Sequence, residues 1–318
     1  ITPKDIQQLC RAAKKVLKHK TTLAEIAPPI FLFGDVHGQY SDVLRMFNKI
    51  GYPTGDKKYM FIGDFVDRGN QSLEVGVLLM SYMVKYADTF VLLRGNHEVA
   101  SVNDRYGFKK EIEKRYGKEE SEDIYWRFNK AFALLPFAGL VGNKILCKNE
   151  EMWHQTSASQ PQPGLQRIEK NCRIYPGMDK IFESDRIKKQ FRVWPGGIKY
   201  FAGGRLISVF SAPRYQGKGH NTAAVLNVAA DLTITVGFTF KPNYGTPATP
   251  NTPALRCWLK MACKSISIES AKLGGRFKVI DCDGALKKFK TADDRIILAL
   301  GNEFVGSKDG IFLREYVP

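Results

Sequence analysis

Along Asp5 to Lys18, apolar residues recur at helical spacing: Ile6, Leu9, Cys10, Ala13, Val16 and Leu17 share one face, with lysines on the other. The pattern predicts an amphipathic entry helix. Pro28 and Pro29 then lead into a continuous apolar run, Ile30 to Phe33, which stops at Gly34-Asp35 as a buried strand does. The signature returns twice. Tyr59 to Ile62 stops at Gly63-Asp64, and Thr89 to Leu93 stops at Arg94-Gly95-Asn96-His97. Between these runs, Ser41 to Ile50 and Ser72 to Tyr86 carry helical patterns. The order strand, helix, strand, helix, strand predicts a parallel sheet with crossover helices, an α/β arrangement. In such sheets ligands gather at the carboxyl ends of the strands, so the polar residues of the three turns are expected to meet.

Farther on, Asn103 to Ala133 reads as helical, and Leu140-Val141 and Lys144 to Cys147 read as strands. Glu150 to Gln166 holds Gln, Ser, Pro and Gly with little periodicity and predicts a loop. Ile198 to Phe201 and Leu206 to Phe210 predict a hairpin, with further strands at Ala223 to Val228 and Leu232 to Phe238, which moves the class toward α+β. Asn243 to Pro253 reads as a Pro/Thr/Asn/Gly linker, followed by strand-like runs near Phe277, Ile296 and Ile311.

Composition narrows the class without choosing a function. With 318 residues, 44% hydrophobic and 25% charged, the chain can bury a full-sized core and is expected to be soluble. No apolar run is long enough to span a bilayer, and a signal-peptide core is not expected at the N-terminus, so no membrane partner is expected. Six cysteines without a C-x-x-C pair point to reduced thiols and to a cytoplasmic or nuclear location. The net charge of +16 favours acidic partners, but the basic residues form short clusters such as Lys14-Lys15 and Lys109-Lys110. No nucleic-acid signature accompanies them, and a nucleic-acid partner is not expected.

Three turn sequences carry the candidate chemistry: Gly34-Asp35-Val36-His37-Gly38, Gly63-Asp64-Phe65-Val66-Asp67-Arg68-Gly69, and Arg94-Gly95-Asn96-His97-Glu98. Carboxylate and imidazole groups converging from several loops are the donors that a pair of hard-to-borderline cations requires. Glycines beside them allow the tight turns that aim each ligand. These blocks resemble the signature blocks of the phosphoprotein phosphatases, the metal-dependent protein serine/threonine phosphatases, of the protein phosphatase 1 kind. Tyr106-Gly107-Phe108 and Ser211-Ala212-Pro213-Arg214-Tyr215 match two more of that family's blocks.

The resemblance implies a metallophosphoesterase-like central β-sandwich flanked by helices. It places a catalytic domain at 1–242, shortened and divergent over 148–196, with 243–318 as a linker and C-terminal extension. It implies hydrolysis of phosphoserine and phosphothreonine monoesters with two divalent metal ions, of Mn or Fe/Zn type, and a metal-held hydroxide. Asp35, His37 and Asp64 would hold the first ion. Asp64 would bridge to the second, which Asn96 would also ligate. His97 would be the general acid, oriented by Asp67, and Arg68, Asn96 and Tyr215 would bind the substrate phosphate. Phosphorylated proteins would be the substrates and phosphatase regulatory subunits the possible partners.

The family also supplies two further histidines to the second metal, and here the pattern breaks. Where a His-Gly-Gly block belongs, the chain reads Cys147-Lys148-Asn149-Glu150-Glu151, and where an Arg-Ala-His-Gln block belongs it reads Lys189-Gln190-Phe191-Arg192. Gln216 stands where the family has cysteine. Glu150, Glu151 and His154 are candidate replacement ligands, with His220 behind them. The alternative implied by Asn149 and Phe191 is a catalytically weak pseudophosphatase that binds phosphoproteins or regulators.

Overall fold

The computed structural model describes residues 1–149, 193–201, 204 and 206–241, together with the backbone of a hairpin formed by 304–307 and 310–313. The entry helix α1 runs Pro3–Leu17. Thr2 caps it: its hydroxyl accepts the Asp5 N–H while the Asp5 carboxylate accepts the Thr2 N–H. The three buried runs form strands β2 (Ile30–Phe33), β3 (Tyr59–Phe61) and β4 (Phe90–Leu92), with α2 (Tyr40–Ile50) and α3 (Ser72–Lys85) as crossovers. As the pattern predicted, β2, β3 and β4 pair in parallel.

The long helical stretch is divided. A short α4 (Ala100–Asn103) precedes α5 (Phe108–Phe132), which is interrupted at Gly117, whose φ of 76° lies in the left-handed region. Strand β1 (Leu23–Ile26), which the apolar pattern does not announce, pairs in parallel with β5 (Ala138–Val141), and β5 pairs antiparallel with β6 (Ile145–Lys148). The expected hairpin is present as β7 (Ile198–Phe201) and β8 (Leu206–Val209). Strands β9 (Ala223–Val228) and β10 (Ile234–Phe240) extend the parallel sheet on the other side of β2 by antiparallel pairing. The result is a mixed five-stranded sheet, β10-β9-β2-β3-β4, and a three-stranded sheet, β1-β5-β6. Strands β11 (Phe304–Ser307) and β12 (Gly310–Leu313) pair with each other, in keeping with the run near Ile311.

Alternation explains how the two layers stack. On β2, β3 and β4, one set of residues, Phe33, Tyr59, Phe61, Phe90 and Leu92, faces the core shared with α1, α2, α3 and α5. Phe33 and Phe61 stack at 4.3 Å between ring centres. The intervening residues, Ile30, Leu32 and Met60, pack instead with Ile26, Val141, Cys147, Leu226 and Val228 from the other strands. That second core is the interior of a β-sandwich, covered on one side by helices. Full burial of each such side chain stabilises the fold by about 1.5–3 kcal/mol. Cys10 and Cys147 are buried and in no disulfide among the described residues, and burial pushes Cys147 up to about 12; the other four cysteines lie outside the described residues. So do the Glu150–Gln166 loop, the Asn243–Pro253 linker, and the runs near Phe277 and Ile296.

Candidate metal centre

The ends of β2, β3 and β4 lie side by side, and the backbone there is strained. His37 (φ 39°), Asp64 (51°), Asp67 (70°) and Arg68 (68°) are all non-glycine residues in the left-handed region, a conformation that costs about 1–3 kcal/mol each and concentrates at functional sites. The glycines have a separate reason. A Cβ on Gly63 would meet the Gly95 nitrogen at 2.5 Å, and one on Gly95 would run into the Asp64 carboxylate, so the β3 and β4 turns can touch only if both positions lack side chains.

Glu98 ties these turns together. Fully buried, its carboxylate accepts the N–H groups of Asp64 (2.8 Å), Phe65 (3.0 Å), Val66 (3.4 Å) and Gly95 (2.9 Å). Burial, and after it the Asp64 charge, pushes Glu98 up to about 8, while the N–H donors of Asp64 and Gly95 pull the other way. The sequence quotes Glu98 as part of a block but gives no sign of this task, because its four partners come from two turns brought together only by the sheet.

Within this frame one ligand atom each from His37, Asp64 and His97 falls within 4.8 Å of the others, and all three residues are buried. His37 donates from Nδ1 to the Val66 carbonyl at 2.9 Å, which fixes the tautomer and leaves Nε2 as a lone-pair donor. Burial, with His97 next in importance, lowers the His37 pKa to about 3, so the ring is neutral and competent to ligate. The Asp35 carboxylate stands 3.7 Å from His37 Nε2. Asp64 is buried, and desolvation raises its pKa despite the opposing His97 charge; its Oδ1 accepts the His97 N–H at 3.0 Å.

His97 donates from Nδ1 to Asp67 at 2.7 Å, and the other Asp67 oxygen accepts the Phe108 N–H at 2.9 Å. Burial, the largest single influence, pulls His97 down. The Asp67 bond and the charges of Asp64, Asp67 and Glu98 outweigh it, so its pKa is raised. Asn103 supports the turn by donating to the His97 carbonyl (3.0 Å) and to Asn129 (2.9 Å), a link that no local pattern announces.

The donor set fits divalent ions on one further observation. Asn96 Oδ1 is buried and accepts no hydrogen bond from any described residue, a cost of about 1–3 kcal/mol that an oxygen-seeking cation removes. At the rim, the exposed Arg68 guanidinium lies 3.9 Å over the Tyr106 ring, and the Arg68 backbone N–H donates to the Tyr106 carbonyl at 3.1 Å. Tyr215 reaches the same place from the other sheet edge, its ring centre 5.2 Å from that of His37. The Ser211–Tyr215 loop is brought there because the Ser211 N–H donates to the Asp35 carbonyl, at 3.0 Å.

The residues predicted to hold the first metal and the phosphate and to supply the proton therefore gather at the strand ends: Asp35, His37, Asp64, Asp67, Arg68, Asn96, His97 and Tyr215. Among the proposed replacements, Glu150, Glu151 and His154 lie outside the described residues, as does Phe191. Asn149 is described and buried, and its side chain hydrogen-bonds the Asp64 carboxylate.

Known proteins place this geometry. The model of the calcineurin-like phosphoesterase family matches residues 28–216. The chain is 34% identical over 262 residues to serine/threonine-protein phosphatase C23G10.1 of Caenorhabditis elegans, covering 72% of this chain and 57% of that one. It is 31% identical over 268 residues to serine/threonine-protein phosphatase PP1-delta of the same organism, covering 74% and 87%. It thus spans little more than half the length of the first relative and most of the second. A solved protein serine/threonine phosphatase from Saccharomyces cerevisiae, with similarity to human phosphatase PP5, superposes with a TM-score of 0.59 at 25% identity, over 79% of this chain and 93% of that one. A strained three-turn cleft on a helix-covered sandwich and relatives of this kind agree: the chain belongs to the calcineurin-like phosphoesterase family, among its metal-dependent protein serine/threonine phosphatases.

Proposed function

We propose that this chain hydrolyses phosphoserine and phosphothreonine monoesters on proteins. The observation that carries the reading is the Asp67–His97 pair set beside the His37 and Asp64 ligand atoms. Asp35, His37 and Asp64 would hold one divalent ion, and Asp64 and Asn96 would face a second. When bound, such ions supply Lewis acidity and neutralise charge on the phosphoryl group. The chain's own residues do the rest. Arg68 receives phosphate oxygens on a fork of donors already oriented by Tyr106. His97, with Nδ1 committed to Asp67 and its pKa raised, holds a proton on Nε2 for the departing serine or threonine oxygen. Tyr215 closes the cleft beside His37. Phosphorylated proteins as substrates, regulatory subunits as partners, and a cytoplasmic or nuclear setting belong to the same proposal. Among the described residues no helix is long and apolar enough to cross a membrane.

Asn149 at the place of an expected imidazole favours a second reading, a weakly active module that binds phosphoproteins. Hydrolysis of a phosphoserine peptide decides between them, measured with and without added Mn²⁺ and with Asp64→Asn and His97→Ala as controls. Turnover that depends on Mn²⁺, vanishes in Asp64→Asn and falls by about 10²–10⁴-fold in His97→Ala is the expected result. No turnover above the Asp64→Asn background, with the phosphopeptide still bound, would establish the second reading instead.

A further inference from the structure

Two buried amides follow strands of the two different sheets, one at the residue before His97, whose N–H donates to Asp64, and one bonded to the Asp64 carboxylate itself. Asn96 comes from the turn after β4, and its Oδ1 accepts no hydrogen bond from any described residue. Asn149 follows β6 in the other sheet, is 8% exposed, and hydrogen-bonds the Asp64 carboxylate. A carboxylate can only accept, so the amide donates from Nδ2. Nδ2 and Oδ1 are nearly isosteric, so a half-turn of the terminal amide replaces the donor facing Asp64 with a carbonyl oxygen at the same place. Through Nδ2, then, Asn149 lends Asp64 a partial positive charge. Beside a cation the same side chain offers it an oxygen.

We propose that Asn149 is a metal ligand, completing with Asp64 and Asn96 an all-oxygen seat for the second cation that selects Mn²⁺ or Mg²⁺ over Zn²⁺. The proposal rests on the phosphatase reading for the existence of two seats, and adds what fills one of them and with what preference. The selectivity follows from ligand type. Imidazole suits zinc and iron, whereas carboxylate and carbonyl oxygens suit magnesium and manganese. The first seat has His37 and therefore nitrogen; the second, assigned to Asp64, Asn96 and Asn149 with His97 kept for the departing oxygen, takes only oxygen from the described residues. Burial sharpens the effect, because the amide and carboxylate dipoles lie in a medium that screens them less than water does.

The test is metal binding to the full chain stripped by chelator, followed by electron paramagnetic resonance of free Mn²⁺ during titration and repeated in competition with Zn²⁺. The wild-type chain is expected to take up two Mn²⁺, the second more weakly than the first. Asn149→Ala is expected to lose at least about 10-fold, and up to 100-fold or more, in the second affinity while the first is unchanged. Asn149→His is expected to restore the second site with its preference moved toward Zn²⁺. Asn149→Asp keeps an oxygen and guards against a folding defect in Asn149→Ala, and it is expected to bind the second Mn²⁺ at least as tightly as wild type.

Equal second-site affinity in wild type, Asn149→Ala and Asn149→Asp would overturn the proposal, as would a wild-type chain that binds one Mn²⁺ only. The phosphatase reading fails separately. Two Mn²⁺ per chain, one of them lost in Asn149→Ala, with no peptide hydrolysis, would refute the activity and leave the ligand assignment standing. Hydrolysis with Mn²⁺ binding unaffected by Asn149→Ala would do the reverse.

Discussion

The two walls of the cleft are held by different means. The wall formed by the ends of β2, β3 and β4 is over-determined. Four non-glycine residues there accept left-handed backbone, two glycines allow the β3 and β4 turns to touch, and one buried glutamate binds four N–H groups across them. The wall formed by the end of β6 and the Ser211–Tyr215 loop is held by separate bonds to several elements, among them Gln39 Nε2 to the Pro213 carbonyl at 2.6 Å and the Arg214 N–H to the Asn221 carbonyl at 3.0 Å. Asn149 reaches Asp64 by one side chain. The Ser211 hydroxyl accepts the Gly34 N–H at 2.9 Å and donates to the Ala224 carbonyl at 2.7 Å, and the Ser211 N–H reaches the Asp35 carbonyl. A wall whose ligand turns share one buried carboxylate presets ligand positions, whereas a wall held by separate bonds to several elements can exchange one residue without loss of the fold. That is the side on which Asn149 stands where an imidazole was expected.

The contrast is sharpened most by Glu98→Ala. Four N–H groups at the β3 and β4 turns would lose their acceptor in a buried place, at about 1–3 kcal/mol for each group left unsatisfied, less what water recovers. A loss of about 3 kcal/mol or more in unfolding free energy, read by chemical denaturation, is expected, together with loss of the first metal. If the variant keeps near-wild-type stability, the rigid wall owes its form to something other than this carboxylate.

Ser211→Ala tests the opposite wall. It removes one side chain that bridges β2, the loop after β8 and β9, leaving a buried N–H and a buried carbonyl without that partner. The expected cost is about 1–3 kcal/mol, read by chemical denaturation, with the affinity for the first metal reduced far less than by Glu98→Ala. An equal loss of metal would mean that the two walls are one mechanical unit, and the comparison would collapse.

What the sequence could show follows the same division. The strand ends and their ligands were legible because an apolar run stopping at Gly-Asp is a local event, and three such events in one order define a sheet and its ligand edge. The structure brings Asp35, His37, Asp64 and His97 together accordingly. Glu98, Asn103 and Asn149 act through partners distant in sequence or in another turn, and no periodicity marks them. Strand β1 escaped for a related reason: four residues, only Leu23 and Ile26 fully buried, carry too short a pattern to distinguish a strand from a connection. Asn149 could have been suspected from its place after β6, yet the sequence offered only the absence of an imidazole, and its bond to Asp64 depends on the sandwich closing.

The smallest expected effect lies at the rim, where the rigid wall meets solvent. Tyr106 is 44% exposed, yet its ring lies under the Arg68 guanidinium at 3.9 Å and its carbonyl accepts the Arg68 N–H. The ring therefore adds orientation to a residue whose backbone is already held in the left-handed region at φ 68°. Exposed cation–π contacts are worth about 0.5–1 kcal/mol, which is about a 2–5-fold change. Tyr106→Ala should accordingly raise KM for a phosphopeptide by about that factor, with kcat less affected, and Tyr106→Phe should behave as wild type because the stack needs the ring and not the hydroxyl. The decisive comparison is the double variant with Arg68→Ala. If Tyr106 works only by orienting Arg68, removing the ring from a chain that already lacks the guanidinium changes nothing further. A second, additive loss would show that Tyr106 touches the substrate itself, and the rim would then belong to recognition and not only to the support of the rigid wall.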